Sequence, residues 1–560
     1  MVSDAPGFDE LVGTEGLRDG AGAPPPPAGT KKQRIIRGSR LDRWWRRVTV
    51  TPRAQRAYRW GAPGIVVLVA ILTRFVGLGH PDTIVFDETF YVKDAWSQWN
   101  LGYAATWPDD ADAKFAAGQT DIFTAIPSFV VHPQLGKWIT GLFMALLGPE
   151  HAYAWRVGVA LAGVLGVVLI MLVAHRLFRS TLLAVIAGGL LAIDGNAIVM
   201  SRVALLDNYV MLFALLAFYL LLRDRAWSES RLLAWRVRRE SEGRSTDAGP
   251  ALWWRPWLMA AGLALGATAS VKWNGIYFLA IWAVWSVVSD VLLRRKHGIP
   301  GWFAGTLVKQ APVSFLLTVP LAAAVYLLTW ASWFTSDNSY DRHWAESAGN
   351  AWTGLWSWVP VDLQSFLHYE KSVWDYNIGE SRPHPYQAYP ATWLLMIRPT
   401  SMYYQAFDQG QIDPGQGACT AASCGESITG LANPLIWWGG ALSILVLVAV
   451  FVLRRQWQVG AILMGIVAGY LPWLQYSNRT VFQFYTIAFE PYLVLALVAV
   501  LGIAIGSRRD PRPRRTVGLA SAGAFLVLAV ALSVFYWPLW TAQLLPYDVL
   551  RLHWWLPTWV

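Results

Sequence analysis

The sequence predicts an all-α polytopic membrane protein with about eleven transmembrane helices and a large first external loop. Three observations predict it. Hydrophobic residues fill 55% of the 560 positions and charged residues 15%, giving a mean hydropathy of +0.35, whereas soluble domains average about 25% charge. Eleven runs approach the ~20 apolar residues that cross a bilayer core. Between them, Lys and Arg gather in short basic clusters, the pattern that sets membrane orientation. Runs this long and continuous exclude barrel strands, so the spans are helical. The 34 Trp residues suit membrane interfaces. The net charge of +10 is explained by the connectors, and no nucleic-acid partner is expected.

Residues 1–58 begin polar, with prolines from Pro24 to Pro27, and turn basic between Lys31 and Arg47. They read as a disordered cytoplasmic tail whose basic end rests on anionic headgroups. A secretory signal is not expected, because the apolar core it needs does not occur before residue 60. The apolar runs then lie near 60–78, 156–175, 181–199, 203–222, 253–271, 276–293, 307–330, 433–453, 459–475, 484–506 and 516–536. Together they define a membrane domain over 59–536. With the N-terminus inside, alternation places His175–Arg179, Arg223–Arg255, Arg294–Lys296, Arg454–Arg455 and Arg508–Arg515 all on the cytoplasmic side. One helix more or fewer would move every later cluster across the membrane.

The outside then receives two long segments, about 79–150 and 331–432, and a C-terminal tail over 537–560. Connectors this long are usually functional or structured. The apolar stretch from Trp138 to Leu147 is short for a span and reads as a helix lying along the interface. The two cysteines, Cys419 and Cys424, fall in the second segment, where an oxidising compartment favours a disulfide. No internal repeat is apparent, which weakens an inverted-repeat transporter.

Three constellations have chemical potential. Phe86-Asp87-Glu88-Thr89-Phe90-Tyr91 sets adjacent carboxylates among aromatics at the membrane boundary. Such a pair either supplies a general base in a partly desolvated cleft or caps a helix. Next come His132 and Lys137, in His132-Pro133-Gln134-Leu135-Gly136-Lys137, which either anchor the interfacial helix at the headgroups or line a site. Finally, Arg156, Asp194, Arg202, Asp207, Lys272 and Arg479 sit at the outer ends of spans. Charges there are paired or functional, and an outward group of Arg and Lys suits a lipid-linked phosphate.

These residues resemble those of the protein O-mannosyltransferase family, in its bacterial, actinobacterial-type branch. The resemblance rests on Asp87-Glu88, the His132-to-Lys137 run, Arg156, and Asp194 followed by Ser201-Arg202-x3-Leu206-Asp207. Ser270-Val271-Lys272-Trp273-x-Gly275, Asn433-Pro434-x2-Trp437-Trp438, and Leu471-Pro472 with Arg479 extend it. The motifs occur in family order over about 60–500. Phe482-Gln483-Phe484-Tyr485 stands where eukaryotic members tend to carry a His pair after the late Arg. The resemblance implies a GT-C superfamily glycosyltransferase fold. It also implies transfer of mannose from polyprenyl-phosphate mannose to Ser or Thr of proteins emerging from the Sec translocon, with inversion at the anomeric carbon. It makes Asp87 the general base, with Glu88 assisting, and assigns Arg156 and Lys272, with Arg202 and Arg479, to the donor phosphate. His132 and Lys137 would shape the acceptor site, and Asp207 would orient a neighbouring Arg.

The rival readings are a GT-C enzyme that moves a lipid-linked sugar to a glycolipid or polysaccharide, and a transporter or flippase. Charges at span ends and not at the midplane argue against the transporter. Asp87, Glu88 and His132 match no recognised metal-ligand spacing, so no metal site and metal-independent transfer are expected. The expected location is the plasma membrane.

Overall fold

The computed structural model describes residues 38–560. Of the tail expected to be disordered over 1–58, residues 1–37 lie outside the described residues. The remainder corrects that expectation, because Arg40–Val48 is a helix. Ser39 and Asp42 form a reciprocal capping box at its start, at 2.9 and 3.0 Å. Asp42 also accepts from Arg515 at 3.1 Å. Cap and ion pair order a segment whose composition is too polar to suggest it.

A helix lies in every one of the eleven apolar runs. They are Pro52–Phe75, Ala152–Phe178, Thr181–Ile193, Asp207–Ser241, Pro256–Val271, Gly275–Lys296, Trp302–Thr329, Pro434–Arg454, Trp457–Gln475, Glu490–Ile505 and Arg512–Trp540. Among the described residues, six of these are long and apolar enough to cross a membrane: Ala152–Phe178, Gly275–Lys296, Trp302–Thr329, Pro434–Arg454, Trp457–Gln475 and Arg512–Trp540. Three of the others depart for local reasons. Thr181–Ile193 stops at Asp194, whose carboxylate caps a separate short helix, Gly195–Val199. Pro256–Val271 ends at Lys272, where the backbone turns extended. Asp207–Ser241 runs for 35 residues, and its apolar first half gives way to a charged second half.

The Glu490–Ile505 helix is buried on nearly every side and Ala152–Phe178 on most, so these two form the centre. Trp302–Thr329 and Arg512–Trp540 expose most of their apolar surface and form the periphery. Far along the chain from the acidic pair, Arg255 is buried against Asp224 and Asp290, with 2.6 Å to the latter. This triad ties three helices together.

The long connectors are structured. In the first, Glu88–Leu101 packs against Leu135–Leu147, which in turn rests on Ala152–Phe178. The second departs from the all-α expectation. Its strands Thr400–Asp408 and Ser423–Gly430 pair antiparallel, and Leu545–Pro546 from the C-terminal tail adds a third strand beside Ser423–Gly430. The Thr, Tyr and Phe residues of the first strand suit a pleated, half-buried surface. A small hairpin pairs Ile412–Asp413 with Gly417–Ala418, and a Cys419–Cys424 disulfide joins it to the strand that follows. The tail is pinned further by Arg398, which donates to the carbonyls of Thr558 and Val560 at 2.7 and 3.0 Å.

Candidate active site

Asp87 and Glu88 are neighbours in sequence and opposites in environment. Phe86 before them takes a left-handed backbone, φ 48°, a strained conformation for a bulky residue, costing of order 1–3 kcal/mol. Its ring is held edge-on by His384, Phe482 and Phe484. The turn leaves Asp87 at the N-cap of Glu88–Leu101 without a side-chain cap bond. Glu88, one residue on, faces the protein interior and is fully buried. Its carboxylate accepts from the Val85 and Ala204 amides at 3.0 and 2.8 Å, and from Arg156 Nε and Nη2 at 2.9 Å each.

Arg156 completes that wall. Its other donors go to the carbonyls of Leu78, Pro81 and Thr83 at 3.3, 2.9 and 2.8 Å, so all five N–H groups are engaged. Arg202 is used the same way, donating to the carbonyls of Val76 and Gly77 at 2.7 Å each and more loosely to Arg74. Neither guanidinium lines a cleft with Asp87. Both stitch residues 74–88 to the membrane helices, which differs from the phosphate-facing placement expected of them.

Asp87 opens into a cleft of about 530 Å³, lined also by Tyr91, Asp94, His132, Lys137, Arg479 and Tyr485. Burial lifts the Asp87 carboxyl to about 6; Lys272 pulls it down and Asp207 pushes it up. Tyr91 and Asp94 follow at the helical spacing that puts them on the same face as Asp87. Lys137, expected at the headgroups or at a site, is buried and lies 3.7 Å from Asp94. Burial draws its ammonium down and lifts the Asp94 carboxyl. Burial also holds His132 well below the usual imidazole range, helped by Lys272, Lys137 and Arg479. It is therefore neutral.

A second cleft of about 360 Å³ adjoins the first and shares His132, Asn377 and Arg479 with it. Its remaining walls are mainly apolar and aromatic, including Trp273, Ile276, Trp374, Ile378 and Trp473, together with Lys272. Lys272 sits in the break between Pro256–Val271 and Gly275–Lys296. The break is tight: a Cβ on Gly275 would lie 2.5 Å from the Thr268 backbone. The Lys272 ammonium reaches Asp207 at 3.0 and 3.1 Å and lies 4.0 Å from the Tyr485 ring centroid. Asp207 thus pairs with a Lys, where an Arg was expected. Arg479 donates through Nη2 to Asn377 at 2.7 Å, while its buried Nε has no partner.

Sequence reasoning missed Asn377 and His384. Asn377 and His384 come from the long second connector, which bears no recognisable motif. Tyr91, named only as one of the aromatics around the acidic pair, lines the cleft itself. An uncommitted carboxylate beside a neutral imidazole, next to a cationic and aromatic groove, can accept a proton while anionic charge develops nearby.

The comparisons agree along the chain. A family model described as dolichyl-phosphate-mannose-protein mannosyltransferase matches residues 64–334, and one for the C-terminal four-helix membrane region of protein-O-mannosyltransferase matches 362–559. The polyprenol-phosphate-mannose–protein mannosyltransferase of Mycolicibacterium smegmatis strain MKD8 is 30% identical over 514 residues, covering 90% of this chain and 93% of that one. Its Mycobacterium tuberculosis H37Rv counterpart is 31% identical over 514 residues, covering 89% and 92%. A chain of the Saccharomyces cerevisiae protein O-mannosyltransferase Pmt1-Pmt2 complex bound to the sugar donor superposes with a TM-score of 0.66 at 14% identity, covering 96% of this chain and 97% of that chain, and so shares its fold. Matched from its first membrane helix to its C-terminal tail, the chain belongs to the protein O-mannosyltransferase family.

Proposed function

We propose that this multi-pass membrane protein transfers mannose from polyprenyl-phosphate mannose to Ser or Thr hydroxyls of secreted or membrane proteins. The observation that carries the reading is the junction of two clefts, one holding Asp87 and the other a cationic, aromatic groove, through His132, Asn377 and Arg479. The polyprenyl chain lies along the apolar walls of the groove. Its phosphate meets the Arg479 guanidinium, whose Nε has no partner within the protein, and the Lys272 ammonium, which Asp207 holds in place. The acceptor hydroxyl enters the other cleft and gives its proton to Asp87 as its oxygen attacks the anomeric carbon. The bond from that carbon to the phosphate oxygen breaks on the opposite face, and Arg479 and Lys272 stabilise the charge that appears there. A single displacement inverts the centre and converts a β-linked donor to an α-mannosyl product.

Arg156 and Arg202 enter this reading as positioning residues. Glu88 is the anchor of the Asp87 turn, and no step passes through it. Lys137 with Asp94 and the neutral His132 shape the sugar and acceptor side. Transfer needs no metal in this scheme. The eleven helices cross the plasma membrane in the GT-C arrangement, with the N-terminus cytoplasmic and the clefts and C-terminus external. Acceptors then arrive extended, as they leave the Sec translocon.

The test is incubation of the purified protein with polyprenyl-phosphate mannose and a Ser/Thr/Pro-rich peptide. Peptide mannosylation by the wild type, lost in Asp87→Asn, is the expected result. Transfer to a glycolipid or polysaccharide in place of the peptide would overturn the acceptor assignment.

A further inference from the structure

We propose that His80, Asp413, Glu426 and the Ala542 carbonyl form a structural site for a first-row divalent cation such as Zn²⁺ or Mn²⁺, separate from the transfer site. The donor atoms of the three side chains lie within 4.8 Å of one another. They come from segments far apart in sequence: the first long connector, the sheet region of the second, and the turn after the last long helix. Glu426 is 1% exposed and Asp413 6%. Among the described residues, neither carboxylate has a Lys or Arg partner. His80 Nε2 lies 3.5 Å from Glu426 Oε2, so at most a single imidazolium faces two buried carboxylates, which leaves them under-compensated.

Hydrogen bonding does not settle the cluster. The Gln416 amide nitrogen lies 2.9 Å from His80 Nε2, 3.0 Å from Asp413 Oδ2, 3.0 Å from Glu426 Oε1 and 2.7 Å from the Ala542 carbonyl. It has two protons for four acceptors. The amide cannot be reversed, because its oxygen accepts the Leu544 N–H at 2.9 Å. His80 Nε2 is also 3.0 Å from the Ala542 carbonyl. With a proton on Nε2 two donors face each other at Gln416; without one, two acceptors face each other at Ala542. No tautomer satisfies both.

A cation resolves the conflict, because every one of these atoms then offers a lone pair to one centre. Binding would draw the acceptors in to about 2.1 Å and swing the Gln416 amide out, at the cost of its bond from the Leu544 N–H. One imidazole with two carboxylates and a carbonyl suits Zn²⁺ or Mn²⁺. The bound ion would cross-link the chain just ahead of the Asp87 turn to the sheet and to the C-terminal tail.

The full-length protein in detergent, stripped with chelator, reloaded with ZnCl₂ or MnCl₂ and desalted, is expected to retain about one equivalent per chain. Its melting temperature should rise by several degrees. His80→Ala and Glu426→Gln are expected to lower retention at least tenfold, while Asp87→Asn retains the wild-type amount. Wild-type protein that keeps neither ion and melts unchanged would overturn the site, leaving a cluster held by shared protons. So would equal retention by His80→Ala, or loss of the ion in Asp87→Asn. Metal content of the wild type decides the matter even if a variant fails to fold.

Discussion

The wall behind Asp87 and the cleft in front of it are built from the same residue types and differ in how fully those residues are bonded. In the wall, Glu88 accepts four N–H groups and Arg156 donates all five of its own. In the cleft, Asp87 has no cap bond and Arg479 keeps a buried Nε without a partner. Saturated charges hold structure, and unsaturated ones keep bonding capacity in reserve. Charge at a membrane boundary does not by itself distinguish the two.

The sharpest break is Asp87→Asn, which should lower transfer about 10³-fold without lowering the melting temperature. The fold raises the Asp87 carboxyl to about 6, so ionising it costs folding stability. That cost is absent at pH below the unfolded value and full above about 6, and removing the carboxylate relieves it at pH 7. A large drop in melting temperature would place Asp87 with the wall. Conversely, Glu88→Gln should destabilise the protein by about 3 kcal/mol, because it weakens a buried ion pair from one side. Arg156→Lys should behave similarly, since Lys cannot replace five fixed donors. A normal melting temperature with only a raised donor KM would return Arg156 to the phosphate site.

Arg479→Lys should raise the donor KM about tenfold with little thermal effect, as expected where one contact in a cleft is lost. Transfer should fall about fivefold between pH 6 and pH 5 as Asp87 takes up its proton; a flat profile across that interval would remove Asp87 as the base. The smallest effect is expected from Cys419→Ser. It opens a disulfide only five residues apart in sequence and should cost about 2 kcal/mol or less, measured as a modest shift in thermal midpoint with transfer intact.

The membrane helices were legible because apolar runs need no partner to declare themselves, and Ala152–Phe178 or Pro434–Arg454 can be bounded from composition alone. The sheet was not. Leu545–Pro546 is two residues long, and its partner strand lies more than a hundred residues earlier. Motif order grouped Asp87, Lys272 and Arg479, and the structure places them along two adjoining clefts. It did not separate Arg156 and Arg202 from them, since the direction of a long side chain is a tertiary fact. Lys137 shows the same limit: its partner Asp94 belongs to another helix.

The third strand of the sheet has a consequence for assembly. Because Leu545–Pro546 follows the helix Arg512–Trp540, the sheet lacks its third strand until the chain has been made past residue 546 and that helix has been placed. The segment around Met396 and Arg398, which the final residues pin, waits with it. Completion of the sheet is therefore coupled to synthesis of the segment that follows that helix, and a protein stopped near residue 540 would have its helices but an unfinished sheet.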